Sequence, residues 1–201
     1  CVLSSVFYLL CFISCSLFPV FYAVCLDILT SIVYISRKYR LGDYCMKIKL
    51  PVTLYQRILG ILSFLFLMGQ FICLILRWDH MPDEIPTHFG LNGRVDAYGT
   101  KGSVLLLPVI SILIYLLILF VEKFPELWNV PGHVTPENMG WIYGNVKSML
   151  ASTKLGVCFI FFYINYCTVF SRNLGAWFMP VSLLYLSGSM AFFLWRAVHF
   201  K

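Results

Sequence analysis

Charge is what this sequence has least of. Only 12% of its 201 residues are Asp, Glu, Lys or Arg and 60% are apolar, where a soluble domain is about a quarter charged and about half apolar. That balance excludes a water-soluble globule. Acidic residues are the scarcest, nine against fifteen Lys and Arg, for a net charge of +6. The basic residues sit at the ends of apolar blocks, where they orient helices in a bilayer, so the charge implies no nucleic-acid partner. A cysteine framework is missing too: of eight cysteines only Cys45 lies in a polar stretch. Cys11 and Cys15 are spaced to share a helix face, yet no His, Asp or further Cys stands near to complete a metal site. They read as small buried apolar residues.

The chemistry of catalysis is equally sparse. No Ser-His-Asp or Cys-His arrangement can be assigned, so no enzyme and no cofactor is expected. A metal-dependent membrane enzyme built on His88, Asp96 and His133 fails on topology, because a full span separates His88 from His133. His80, Asp83 and Glu84 share a side with His88 and Asp96 but lack the spacing of a metal motif. A small transporter or channel subunit is the other alternative. Its usual mark is an ionisable group facing a path inside the bilayer, and the long apolar segments hold only uncharged polar residues, Gln70, Asn165, Ser187 and Ser189, each satisfied by one interhelical hydrogen bond.

Long hydrophobic runs are what the sequence does have. Ile58 to Leu76, Ser103 to Val121, Leu155 to Phe170 and Leu174 to Trp195 are free of charge and satisfy or nearly satisfy the roughly 20 residues a hydrocarbon core requires. The third is short, and flanking Lys154 and Arg172 are expected to snorkel to the interfaces. Pro108 and Pro180 are able to kink helices, which does not imply a broken-helix binding site.

Residues 1–45 are a separate matter. Up to Leu41 they contain no Gly, Glu, Gln, Asn, His, Trp or Met, a bias expected of a translated AT-rich stretch. "MKIKLPVTLYQRILGILSFLFLMG" from Met46 has the form of a native start, so residues 1–45 are expected to be an N-terminal extension or else an extra span. The remaining divisions are a two-span unit over 46–121, a linker and amphipathic helix over 122–154, and a membrane hairpin over 155–201. Arg37, Lys38, Arg40, Lys47, Lys49 and Arg57 place the region before the first span in the cytoplasm. The loop from Asp79 to Gly102 then lies outside, and 122–154 inside. The expected fold class is an all-α polytopic membrane protein with four transmembrane helices, a small outer β-hairpin and an inner-surface amphipathic helix, set in a bacterial plasma membrane.

Within the outer loop, "IPTHF" and "RVDAY" are separated by "GLNG", and Asn92-Gly93 signals a tight reversal. Pro86 marks an edge or irregular strand. Strict alternation puts Thr87 and Phe89 on one face and Pro86 and His88 on the other. Counting from the turn, His88 lies across from Asp96 or one of its neighbours, close enough for an imidazole–carboxylate pair. Lys101 is expected to anchor the cap at the headgroup level. Further on, Thr135 can cap a helix with Pro136 and Glu137 in its first turn. Met139, Ile142, Tyr143, Val146 and Leu150 then share one face, opposite Asn145, Lys147 and Ser148.

The stretch Pro82, Ile85, Pro86, His88, Phe89, Gly93, Asp96, Gly99 and Lys101 resembles the signature of the bacterial membrane family catalogued as domain of unknown function 1648, found in proteins similar to the SdpI toxin-immunity proteins. Met81 stands where Leu is usual and Tyr98 where Trp is frequent. The stretch from Trp128 to Lys154 is similar, more weakly, to the region after the first two spans of that family. The resemblance implies that the loop with its flanking spans is the defining unit. Apart from the resemblance, the loop reads either as a stiff connector or as a rigid cap that presents a histidine, a carboxylate and a guanidinium for ligand recognition, with His88, Asn92, Arg94, Asp96 and Lys101 as the candidates and Pro82, Ile85, Pro86, Phe89, Gly93 and Gly99 as the structural motif. A membrane-active peptide outside and a cytoplasmic regulator inside are the partners the resemblance implies, besides the lipid bilayer.

Overall fold

The computed structural model describes residues 51–125, 128, 130 and 134–199. The expectations for residues 1–45, for Met46 as a start and for His133 lie outside the described residues. Among the described residues four helices and one hairpin follow in chain order: α1 Leu54–Arg77, β1 Glu84–Phe89, β2 Val95–Thr100, α2 Leu106–Lys123, α3 Met139–Val169 and α4 Phe178–His199. Short 3₁₀ turns, Trp78–His80 and Lys101–Leu105, join the hairpin to α1 and α2. All four helices are long and apolar enough to cross a membrane. The described residues therefore form a mostly helical bundle with a small antiparallel hairpin at one end, as the hydrophobic runs and the loop chemistry imply.

Local chemistry sets the helix boundaries. Thr53 and Gln56 form a reciprocal cap on α1: the Thr53 hydroxyl accepts from the Gln56 N–H and the Gln56 amide oxygen accepts from the Thr53 N–H, both at 3.2 Å. Pro108 and Pro180 are each the third residue of their helix. An N–H there has no partner within the helix, so neither proline breaks a hydrogen bond of the helix interior. Both prolines thus sit at helix starts and not at kinks. Before α3, Thr135 and Asn138 cap reciprocally through a Thr135 N–H to Asn138 Oδ1 bond of 2.8 Å and an Asn138 N–H to Thr135 Oγ1 bond of 3.4 Å. The Thr135 hydrogen bond, with one from its own backbone, holds the exposed Glu137 carboxyl below its usual range.

Helix α3 is the centre of the bundle. It buries 61% of its most apolar stretch, against 22% or less in the other three helices. The separate inner-surface helix expected before Lys154 is not separate: one continuous helix of 31 residues takes in both that amphipathic stretch and the third span. The expected apolar face holds for Ile142 and Val146, which are buried. Asn145 is buried as well, because its side-chain N–H donates to the Phe193 carbonyl of α4 at 2.8 Å.

Lys154 lies within that continuous helix and does not flank a span. Instead of snorkelling to an interface it is 4% exposed, and its ammonium donates to both carboxylate oxygens of Glu122 at 2.8 Å. A neutralised charge need not mark a helix end. Glu122 is the penultimate residue of α2, so the pair lies at the end of the bundle opposite the hairpin, and Lys154 also rests 5.7 Å from the Tyr115 ring centre.

Other polar contacts pin α3 to its neighbours. Gln56 donates to Ser148 Oγ at 2.9 Å, and Ser152 meets Ser189 at 2.9 Å and the Tyr185 hydroxyl at 3.2 Å. Gln70 donates to Ser111 of α2 at 2.8 Å while Asn165 donates to the Gln70 carbonyl at 3.2 Å. Gln70, Asn165 and Ser189 thus make the interhelical bonds expected of them. Ser187 does not, since its hydroxyl returns to the Leu183 carbonyl of its own helix. These contacts pair the starts of α1 and α3 and also their ends, so the two helices run parallel, with α2 and α4 antiparallel to them. The outward faces remain apolar: Leu106, Val109, Leu113, Leu116 and Phe120 form an exposed stripe along α2 at helical spacing.

Removing one partner of the Lys154–Glu122 pair leaves an uncompensated buried charge, a loss of about 3 kcal/mol. Glu122→Leu is expected to lower stability by that order in mixed-micelle denaturation, and the double variant Glu122→Leu with Lys154→Met to recover most of it. A single variant as stable as the parent would contradict the pairing.

Candidate functional site

The hairpin is built around two irregularities that the alternation pattern does not anticipate. Its register runs Glu84↔Thr100, Ile85↔Gly99, Pro86↔Tyr98, His88↔Ala97 and Phe89↔Val95, with shifts on both sides of His88. Thr87 and Asp96 therefore fall out of the pairing, and the face assignment changes. Ile85, Pro86 and Phe89 are all buried, while Thr87 and His88 are only partly covered. The expected sharing of a face by Pro86 and His88 is corrected by this bulge, which turns the strand between them. Ile85, 0% exposed, joins Met81, Leu74, Val104 and Val169 in a core that ties the hairpin to α1 and α3. Gly99 has its own reason. A Cβ there would lie 2.7 Å from Thr87 Cγ2, so only glycine lets the two strands close.

The reversal comes one residue earlier than Asn92-Gly93 alone implies. The Gly93 N–H donates to the Gly90 carbonyl at 2.8 Å, which places Leu91 and Asn92 at the turn's centre, and Gly90 N–H donates to the Arg94 carbonyl at 2.8 Å. Asn92 fixes the exit by accepting the Arg94 N–H on its side-chain oxygen at 3.1 Å. Gly93 comes next at φ +71°, a left-handed conformation that glycine adopts without steric cost.

Gly93 also touches a second loop. A Cβ on it would stand 2.3 Å from the Gly175 carbonyl oxygen, and Gly175 is itself at φ +85°. The Leu174 N–H donates to the Gly93 carbonyl at 2.8 Å, and the Val95 N–H donates to Asn173 Oδ1 at 3.0 Å. Tyr163 of α3 completes the seat by donating its hydroxyl to the Leu174 carbonyl at 3.1 Å. Asn173, Leu174 and Gly175 are the residues that sequence reasoning misses. "RNLG" between two spans carries an Asn and a Gly at a reversal, but nothing in it names the partner.

The recognition candidates are arranged on this seat in two groups. His88 Nδ1 is hydrogen-bonded to Asp96 Oδ1, as counting from the turn implies, although its strand partner is Ala97. The pair is open, with side chains 41% and 49% exposed. Asn92, Arg94 and Asp96 line a shallow depression at the hairpin tip together with Gly90, Leu91 and Val95. Leu91 is 78% exposed at its edge. Lys101 is elsewhere: its ammonium lies 5.1 Å from the Trp78 ring centre, at the base of the hairpin. Pro82 is exposed beside buried Met81. Among the described residues no three His, Cys, Asp or Glu side chains converge to hold a metal.

One stretch of the chain matches the model of the DUF1648 family. Residues 65–112 match that family, described as a domain of unknown function, and they take in the second half of α1, the whole hairpin and the start of α2. A stretch of 66 residues is 29% identical to an uncharacterised protein of Archaeoglobus fulgidus, covering 29% of this chain and 36% of that relative. No solved structure matches the chain. The seat formed by residues 173–175 lies outside the matched DUF1648 segment.

Gly93→Ala is expected to cost about 2 kcal/mol or more, because it adds a forbidden contact with Gly175 to an unfavourable φ. Leu91→Ala, at an exposed position, should stay within about 0.5 kcal/mol of the parent. Thermal denaturation of the two variants in detergent checks this: equal midpoints would mean that the hairpin is not seated on the second loop.

Proposed function

We propose that this protein is a non-enzymatic, SdpI-like membrane protein of a bacterial plasma membrane, whose hairpin faces outward and recognises a membrane-active peptide. The observation that carries the reading is the hairpin tip, where exposed Leu91 stands beside Asn92, Arg94 and Asp96 on a backbone held by a second loop. An amphipathic peptide needs both kinds of contact, an apolar one and a charged one, and a pre-organised surface avoids the cost of ordering a free loop on binding. The end of the bundle at Thr135 to Asn145 would then be cytoplasmic and offer the surface for a regulator. Immunity and signalling differ only in whether that second contact exists.

A transport function has less support. Lys154 and Glu122 are ionisable groups within helices, but they neutralise one another at the last turn of α2 instead of lining a path at mid-depth.

Deleting the gene and challenging the cells with membrane-active peptides from neighbouring species tests the reading. Deletion is expected to sensitise the cells. Complementation with His88→Ala or Asp96→Ala should fail although each protein is inserted in normal amount, because an exposed ion pair contributes at most about 1 kcal/mol to stability. The double variant should lose no more than either single one. Full protection by both single variants at normal expression would overturn the assignment.

A further inference from the structure

Two guanidiniums converge on one aromatic ring at the hairpin end of the bundle. Arg77, the last residue of α1, places its guanidinium carbon 4.8 Å from the centre of the Phe170 ring, and Arg172 places its own 5.8 Å from the same point. The ring is held in position. It packs against the Leu74, Met81, Ile85, Val104 and Val169 core and lies 4.6 Å from the Tyr166 ring. Beyond it the chain turns back, with the Arg172 N–H donating to the Cys167 carbonyl at 2.8 Å and Ser171 at φ +50°. Arg172 is thereby brought back over the end of α3.

Neither arginine is neutralised. The ion pairs among the described residues are His88–Asp96 and Lys154–Glu122, and Asp79, Asp83 and Glu84, though at this end, are within ion-pair distance of neither guanidinium. Arg77 Nε is buried and donates to no acceptor. Proximity to the carbonyl ends of α1 and α3 explains why positive charge is tolerated here. It leaves both guanidiniums without a counter-ion among the described residues.

We propose that Arg77 and Arg172, set against Phe170, hold the phosphate of an anionic phospholipid headgroup in the leaflet on the hairpin side. A guanidinium presents its donors as a planar fork that matches phosphate oxygens, and stacking on an aromatic ring fixes the fork's plane. The position suits a lipid. Both arginines stand at the ends of membrane-long helices, Ile75 and Leu76 beside Arg77 are 73% and 70% exposed, and Lys101 over Trp78 continues the rim of cations and aromatics typical of a headgroup level. The acyl chains would lie along the exposed face of α1. This site is distinct from the hairpin tip and independent of any peptide recognised there.

The test uses the full chain purified in neutral detergent, its thermal midpoint followed during titration with phosphatidylglycerol, phosphatidylcholine or inorganic phosphate. Phosphatidylglycerol is expected to raise the midpoint saturably, and the other two are not. Arg77→Gln and Arg172→Gln should each raise the half-saturating phosphatidylglycerol concentration about fivefold, and the double variant should lose the response. If the Gln variants fail to fold, Arg77→Lys and Arg172→Lys keep the charge but not the fork, and should still prefer phosphatidylglycerol to phosphatidylcholine by a smaller margin. An unchanged response in the double variant, or in both Lys variants, overturns the site. An equal effect of inorganic phosphate or phosphatidylcholine overturns the assignment to an anionic lipid.

Discussion

Within a hydrocarbon core no water answers a buried polar group, so polar side chains inside the bundle must find protein partners, and most find one on another helix. Helix α3 carries most of them, and its partners are distributed with little overlap: Ser148 and Asn165 to α1, Lys154 to α2, Asn145 and Ser152 to α4. Each neutral bond is worth only about 1 kcal/mol. Their value lies in register, since sliding or rotating any neighbour by one residue would strand several groups together. The three outer helices can then remain apolar on their far sides, because α3 supplies the specificity that lipid-like side chains lack.

The same helix carries the cap. Tyr163 holds the Leu174 carbonyl and Val169 contributes to the core under Ile85, so the hairpin is anchored both beneath its first strand and at its turn. The segment similar to DUF1648 ends within α2, yet its loop is completed by residues of the α3–α4 connection. That dependence gives the small hairpin a stiffness it would not have alone, since an isolated two-stranded hairpin is at best marginally stable in water. A stiff hairpin keeps Arg94, Asp96 and Leu91 in a fixed relation to one another, which is what a recognition surface on it requires.

Much of this is legible in the residues. The four spans follow from length and apolarity, and the hairpin follows from Pro, Asn and Gly at the reversal. Proximity of His88 to Asp96 follows from counting outward from the turn. The departures have definable reasons. Alternation breaks at Thr87 because a bulge costs one residue of register, and no local signal announces it. Lys154 reads as a helix flank because an isolated charge beside an apolar run usually is one. Its partner Glu122 lies 32 residues away, and only tertiary structure brings them together. The seat at Asn173 to Gly175 is invisible for the same reason, while the Thr53–Gln56 cap is readable from its spacing alone.

Whether the hairpin turn rests on the α3–α4 loop is tested most directly by cross-linking. The Val95 N–H donates to Asn173 Oδ1 at 3.0 Å, so Val95→Cys with Asn173→Cys puts one thiol on each of the two touching segments, to be joined by a short bis-maleimide or bis-methanethiosulfonate cross-linker or directly by oxidation. A protease site placed between α2 and α3 would separate the two halves of the chain unless the cross-link has formed. Mild oxidation in native membranes is expected to keep the cleaved halves together until a reductant is added. Halves that separate without reductant, under conditions where both cysteines are shown to be reactive, would contradict that contact.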